Sequence, residues 1–177
     1  MDITEDEFFV RENPTANTDL YRLLMDKMLF DEGDVLYDPF QDSSSIWEFF
    51  PGNLHHSHSQ TQNFEGYGKT VDWVITHPPF TIDCLAKEDK TYNFFDLCEY
   101  FALSNRVKKG MCFLVNHTSY LAITPNRLDF LRNHGFVLSK QVMCNIRNCK
   151  GRCFFMVFTR THIDVVEPAI DYITHYF

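Results

Sequence analysis

The sequence predicts an α/β fold, in which a mostly parallel sheet carries helices on both faces and ends in an antiparallel hairpin. Short apolar runs alternate along the chain with stretches of helical period, which is the order of strand–helix–strand units. The run Val71–Thr76 is almost continuously apolar, as expected of a strand that is covered on both faces. The last two apolar runs, 137–146 and 153–158, are joined by a turn at 148–151, so they are predicted to pair antiparallel.

Local signals place the other elements. Thr18 is a helix N-cap candidate, Pro39 ends the first strand, and Gly135 stops the last long helix. The polar segment 54–68 is either a loop or a poorly formed strand. The predicted elements are helix 15–30, strand 35–37, helix 45–50, strand 71–76, helix 92–103, strand 111–115, helix 125–134, strands 137–146 and 153–158, and a short helix around 168–176.

The length of 177 residues suits one domain. We expect an acidic arm over 1–13, the folded domain over 14–160 and a tail over 161–177. With 16 Lys and Arg against 24 Asp and Glu, the formal charge is −8, which argues against strong autonomous binding of duplex DNA. No run of apolar residues is long enough to span a membrane, and the acidic N-terminus does not resemble a signal peptide. Six scattered cysteines favour a reducing, intracellular setting.

Two polar turns follow strands that the topology should bring to one sheet edge. The first turn contains Asp38, Pro39 and Phe40, followed by small residues. The second is His77-Pro78-Pro79-Phe80, in which the prolines fix the backbone and the aromatic ring offers a stacking surface. Because ligand turns gather at the carboxyl ends of parallel strands, we expect the strand ends at Asp38 and His77 to be neighbours.

Together, the order and spacing of these turns resemble the small phage and viral adenine-specific DNA methyltransferases, which have a class I, Rossmann-like fold. In that family the first turn reads Asp-Pro-Phe-Cys-Gly-x-Gly-Ser. The second reads Asn-Pro-Pro-Tyr or Asn-Pro-Pro-Phe, after a strand of the type Val-Asp-Trp-Ile-Val-Thr. The resemblance runs from about residue 13 to residue 160 and includes the apolar strands at 111–116 and 151–158.

The resemblance implies S-adenosylmethionine as cofactor and the exocyclic amine of adenine in DNA as the group that is methylated. It implies that His77 accepts a hydrogen bond from that amine and that Phe80 stacks on a flipped base. The implied cofactor-binding residues are Asp38, Pro39, Phe40, Asn63 and Phe64. The implied catalytic residues are His77, Pro78, Pro79 and Phe80.

The chain departs from the family at both turns. Asp42 and Ser44 stand where glycines let the backbone approach the cofactor, and the Asp42 carboxylate would repel the carboxylate of the cofactor's methionine part. His77 stands where the family has Asn or Asp. No acidic residue in 54–59 replaces the family's ribose ligand. These departures predict weak or absent cofactor binding and weakened or lost catalysis.

The remaining polar clusters have ordinary interpretations. For His55, His56 and His58 a solvated loop is favoured over a metal site, and for Cys144, Cys149 and Cys153 buried thiols are favoured over zinc, so no metal is predicted. Asn116 either faces the pocket or caps the next segment. One basic spot consists of Arg106, Lys108 and Lys109. The denser basic spot consists of Arg147, Lys150 and Arg152. It has two interpretations, which are contact with phosphates and a solvated surface.

Two functions therefore compete. In the first, favoured by the altered turns and the acidic charge, the chain is a non-enzymatic structural or interaction module with a protein partner. That partner assembly is either a methyltransferase complex or a large viral particle, which would place the chain in the host cytoplasm or a virion. In the second, favoured by the Pro-Pro-Phe sequence, it is an active adenine methyltransferase. Fold alone does not decide between them.

Overall fold

The computed structural model of the protein describes residues 30–41, 54–59, 66–76, 82–83, 91–92, 94–145, 152–161 and 169–173. The predicted arm over 1–13, the helix over 45–50, the turn at 148–151 and, apart from Phe30, the helix over 15–30 lie outside these residues. The strands are β1 (Val35–Gln41), β2 (Leu54–Ser59), β3 (Val71–Thr76), β4 (Ile82–Asp83), β5 (Thr91–Tyr92), β6 (Val107–Asn116), β7 (Phe136–Asn145), β8 (Arg152–Arg160) and β9 (Ala169–Ile173). The helices are α1 (Phe94–Leu103), α2 (His117–Leu121) and α3 (Pro125–Asn133).

Seven of the described strands form one sheet in the order β2-β1-β3-β6-β8-β7-β9. Strands β2, β1, β3 and β6 pair parallel, whereas β8 is antiparallel to both of its neighbours, β6 and β7. Strands β4 and β5 form a separate antiparallel pair. The prediction of a mostly parallel α/β sheet with an antiparallel hairpin is therefore confirmed.

The central strands are covered on both faces, which explains their continuous apolar sequences. Val74 and Ile75 are successive residues of β3 and therefore face opposite sides of the sheet, yet they are 0% and 1% exposed. In β6 the five residues from Met111 to Val115 are all buried. A strand in this position gains from apolar burial at every residue, so alternation of apolar and polar residues is lost.

Helices α1 and α3 form where periodicity and capping predict them. In α1 the buried residues Phe95, Cys98, Phe101 and Ala102 recur at helical spacing and join the core. The Thr124 side chain accepts a hydrogen bond from the Arg127 backbone N–H at 3.4 Å, which caps the first turn of α3. The helix ends before Gly135, whose φ of +83° suits glycine.

Two predicted elements differ in the structure, and one open alternative is decided. The tail helix around 168–176 is wrong, because Ala169–Ile173 is strand β9, which pairs parallel with β7. Pairing satisfies the backbone groups of a strand that would otherwise form the sheet edge, and this gain exceeds weak helix propensity. Of the two interpretations of the polar segment 54–68, loop or strand, residues 54–59 form the strand, β2. Strand β1 continues to Gln41, past the predicted end at Tyr37.

A polar network ties the amino ends of three strands together. Asp34, which precedes β1, accepts a hydrogen bond from the indole Nε1 of Trp73 in β3 at 2.9 Å. Its carboxylate also accepts one from Lys109 Nζ in β6 at 2.6 Å, and Lys109 pairs with Asp31 at the same distance. The network lies at the amino ends of the parallel strands, so its side chains do not contact the opposite edge, where the strands have their carboxyl ends.

Candidate functional site at the carboxyl edge of the sheet

The sheet reverses its winding direction between β1 and β3. From β1 the chain forms β2 on one side, then crosses to form β3 on the other side of β1. The paired residues of β1 and β3 are Leu36 with Trp73 and Tyr37 with Val74, and the pairing stops there although both strands continue. In open α/β sheets, ligands bind outside the carboxyl ends of the strands at such a switch point.

Asp38 lies at this switch point with a buried carboxylate. One carboxylate oxygen, Oδ1, accepts a hydrogen bond from the Phe40 backbone N–H at 2.9 Å and another from the Thr76 hydroxyl at 2.6 Å. The residue is only 7% exposed, and Thr76 is 2% exposed. The bond from Thr76 joins the end of β3 to β1, just beyond the last backbone pair between the two strands.

The backbone around Asp38 explains why its side chain takes this role. Pro39 has no N–H to donate, and the register with β2 shifts between Asp38 and Gln41. The Phe40 N–H donates to Asp38, two residues earlier, as in an Asx turn. The sequence Asp-Pro-Phe therefore remains part of strand β1, but the Phe40 N–H bonds to the Asp38 side chain.

The structure partly describes the residues assigned to the cofactor. Asp38, Pro39 and Phe40 come together at the switch point, and all three are buried. The Phe40 ring belongs to the hydrophobic core cluster, so packing is part of its role. Asn63 and Phe64 lie outside the described residues, and their roles stay predictions.

The second turn begins directly after Thr76. His77, Pro78, Pro79 and Phe80 lie outside the described residues, so their assigned catalytic roles also stay predictions. The structure describes the residue before that turn, Thr76, whose hydroxyl donates a hydrogen bond to the Asp38 carboxylate. Sequence analysis missed Thr76 as a site residue, although a polar residue that closes an apolar strand beside a predicted ligand turn was an available signal.

Asn116, at the carboxyl end of β6, caps a helix. Its side-chain oxygen accepts a hydrogen bond from the Ser119 backbone N–H at 2.8 Å, and the residue is 2% exposed. The bond satisfies one of the free N–H groups of α2, a helix that the sequence did not predict. Of the two interpretations, pocket or cap, the structure therefore supports the cap.

Buried titratable side chains near the sheet are poor proton-transfer groups. Burial raises the pKa of the Tyr37 hydroxyl far above its ordinary value, and it does the same to the thiols of Cys98 and Cys112. These groups stay protonated at neutral pH. Cys98, Cys112 and Cys153 are buried, and the described residues contain no group of His, Cys, Asp or Glu that could hold a metal ion.

Most basic side chains in the described part of the chain bind protein groups. The guanidinium groups of Arg106, Arg127 and Arg160 donate to the carbonyl oxygens of Tyr67, Ala122 and Val107. Arg106, Lys108 and Lys109 lie at the amino end of β6, away from the switch point. Of the other basic spot, Arg152 begins β8, whereas Arg147 and Lys150 lie outside the described residues. DNA contact by these residues stays a prediction.

Comparison with solved structures agrees with the topology. A Listeria monocytogenes protein assigned to the class I S-adenosylmethionine-dependent methyltransferases matches 99% of this chain and 67% of its own length, with a TM-score of 0.61 and 12% identity. The magnesium protoporphyrin IX methyltransferase from Synechocystis, with bound S-adenosylmethionine, matches 91% of this chain and 86% of its own, with a TM-score of 0.56 and 12% identity. The chain has the class I methyltransferase fold.

A third structure of similar fold is a subunit of a restriction enzyme. It is a modification subunit assigned to a type I restriction enzyme of Vibrio vulnificus, with 11% identity and a TM-score of 0.50. The match covers 88% of this chain and 45% of that subunit. A scan against models of protein families and a search of curated protein sequences found no match.

No helix in the described ranges has the length and apolar character needed to cross a membrane.

Proposed function

We propose that this chain is an S-adenosylmethionine-dependent adenine methyltransferase-like domain whose cofactor affinity and turnover are weakened, and which acts as a subunit or interaction module beside a protein partner. The observation that carries the proposal is the switch point between β1 and β3, where Asp38 accepts a hydrogen bond from Thr76, the residue before the second predicted ligand turn. The methyltransferase fold supports the cofactor class. The modification subunit of similar fold supports DNA as the substrate and work within an assembly. A large viral particle is the other assembly that the resemblance to phage and viral enzymes suggests.

The described residues fit a ligand at this edge. Asp38 is buried and hydrogen-bonded in β1, just beyond the last backbone pair between β1 and β3. Asp38, Pro39 and Phe40 would face the cofactor from one side, with Asn63 and Phe64 beside its adenine. S-adenosylmethionine, when bound, supplies an electrophilic methyl group.

The second turn would hold the amine that attacks. His77 accepts a hydrogen bond from the exocyclic amine only when its ring is neutral, and it does so through one nitrogen, whereas the family's Asn or Asp uses an oxygen. Phe80 would stack on the flipped adenine, and the Pro78 carbonyl would accept a second bond. A changed acceptor with different reach weakens positioning of the amine, which explains the reduced turnover that we propose.

Restoring glycine at positions 42 and 44 tests the cofactor site. We expect the unmodified chain to bind S-adenosylmethionine weakly, with a dissociation constant above about 100 μM. The double variant Asp42→Gly, Ser44→Gly should bind at least about tenfold more tightly, because it removes a like charge and two side chains from the backbone that approaches the cofactor. Isothermal calorimetry with S-adenosylmethionine and S-adenosylhomocysteine measures both chains. Low-micromolar binding by the unmodified chain would show that the site is not weakened.

The acceptor at position 77 separates the proposed function from a fully active methyltransferase, the second candidate, which the Pro-Pro-Phe sequence favours. His77→Asn restores the family's acceptor and should raise methyl transfer to adenine-containing DNA, whereas His77→Ala should abolish it. Transfer of a radiolabelled methyl group measures both, with and without candidate partner proteins. Rapid transfer by the unmodified chain would establish the active enzyme. Equal transfer by the unmodified and His77→Ala chains would remove the catalytic role of His77.

A further inference from the structure

We infer that Thr76 is a positioning residue: its hydroxyl fixes the Asp38 carboxylate, and through it the Phe40 backbone, in the conformation that receives the cofactor. The inference rests on the proposed function for the identity of that ligand. The contact itself rests on geometry alone. It adds a residue from β3, the strand that leads to the base-binding turn, to the cofactor side of the site.

The two hydrogen bonds converge on a single oxygen. The Thr76 hydroxyl and the Phe40 N–H both donate to Asp38 Oδ1, at 2.6 Å and 2.9 Å. Both distances lie within the usual range of hydrogen bonds to an oxygen acceptor. The orientation that Thr76 gives to the carboxylate therefore determines where the Phe40 N–H finds its acceptor.

Burial makes the hydroxyl difficult to replace. Thr76 is 2% exposed and Asp38 is 7% exposed, so bulk water has little access to the carboxylate if the hydroxyl is lost. The last backbone pair between β1 and β3 is Tyr37 with Val74, so Thr76 lies beyond the ladder of these two strands. At this position the side-chain bond takes over from the sheet ladder in holding the two strand ends together.

The position of the bond gives it a functional consequence. Thr76 is the last residue of β3 and precedes His77, and Asp38 opens the cofactor turn. A shift of one strand is therefore transmitted to the other through the hydrogen bond between Thr76 and Asp38.

Two substitutions separate the hydroxyl from the shape of the side chain. Thr76→Val keeps the branched shape that suits a buried strand but removes the donor, and Thr76→Ser keeps the donor. We expect Thr76→Val to accelerate hydrogen exchange of the Phe40 amide by about tenfold or more, while exchange of the Leu36 amide changes little. It should weaken S-adenosylhomocysteine binding by a similar factor, and Thr76→Ser should restore both. Thr159→Val, a half-buried threonine in β8, is the matched control and should alter neither.

Each result decides between the contact and the proposed function. Exchange is measured without ligand, and binding is measured by calorimetry on the full chain and on the chain with glycine at 42 and 44. Native-like Phe40 exchange in Thr76→Val would overturn the inference, as would native-like affinity in a chain that binds the cofactor. Accelerated Phe40 exchange together with no cofactor binding in either background would overturn the proposed function and the cofactor role of Thr76, and would leave the contact as described.

Discussion

Gly110→Ala is expected to destabilise the protein by about 3 kcal/mol, the upper part of the usual range for overpacking a core. A Cβ at this position would lie 2.3 Å from Cζ3 of Trp73 and 2.6 Å from the backbone carbonyl oxygen of Phe158. Gly110 and Trp73 are direct partners in the β3–β6 pairing, so the indole ring covers the glycine. The glycine is needed here because an aromatic side chain and a neighbouring strand occupy the space of its side chain.

Neither obstruction can move without further loss. The Phe158 carbonyl belongs to β8, which pairs with β6, and the Trp73 ring is held by its bond to Asp34 and by edge contact with Phe30 at 4.9 Å between ring centres. Urea unfolding measures the free energy difference. Gly68→Ala is the control: nothing lies within 4 Å of its added Cβ, so it should be neutral or stabilise by a few tenths of a kcal/mol, up to about 1. A loss below about 1 kcal/mol for Gly110→Ala would mean that the ring moves freely, contrary to the packing described.

The buried strands were the most predictable part of this fold. The apolar run at 71–76 coincides with β3, and the run at 111–115 is the buried half of β6. Such strands are covered on both faces, so their whole sequence is selected for burial and stands out without tertiary information. The hairpin of β7 and β8 was also predictable, because its two strands lie close together in sequence.

Elements that depend on distant partners were not predictable. Strand β9 contains only five residues and is stabilised by β7, which precedes it by some 30 positions. β2 carries three histidines and forms an edge strand only because β1 offers a parallel partner. In both, local propensity is weak, and pairing decides the conformation.

The candidate site shows the same division. The sequence placed the ends of β1 and β3 at one sheet edge, and the bond between Asp38 and Thr76 agrees with that expectation as far as the described residues reach. It did not indicate that the Asp38 carboxylate would bond to the neighbouring strand, since this depends on where two backbones separate in space. The resemblance to the methyltransferase family assigned roles to His77, Phe80, Asn63 and Phe64, and these roles remain predictions.

Asp34→Ala is expected to cost on the order of 3 kcal/mol at neutral pH, because it leaves buried donors without their acceptor. Asp34 is 5% exposed and accepts from Trp73 Nε1, from the Asp31 backbone N–H at 3.0 Å and from Lys109. Asp34→Asn keeps an acceptor oxygen and should cost less. Removing the Asp34 carboxylate would also release the Trp73 ring that covers Gly110. The destabilising effects of Asp34→Ala and Gly110→Ala should therefore combine less than additively.

The acid dependence of this network follows from the direction of the pKa shift. Burial raises the pKa of Asp34, but hydrogen bonds from Lys109, the Asp31 backbone and Trp73 outweigh it, so the pKa lies below the ordinary value of 3.8. Because the folded state binds the proton more weakly than the unfolded state, the charged carboxylate stabilises the fold above pH 3.8 and loses this effect as the pH falls through its lowered pKa.

The stability difference between the unmodified chain and Asp34→Asn should therefore be constant from about pH 5 to 8 and shrink below about pH 4, which urea unfolding across this range measures. Asp129→Asn is the matched control, since that carboxylate is 60% exposed and its pair with Arg132 lies on the surface, so the change should be small at every pH. A difference for Asp34→Asn that persists unchanged into acid would assign its effect to side-chain shape. A difference that grows in acid would contradict the lowered pKa, and with it the three-donor network that fixes the amino ends of β1, β3 and β6.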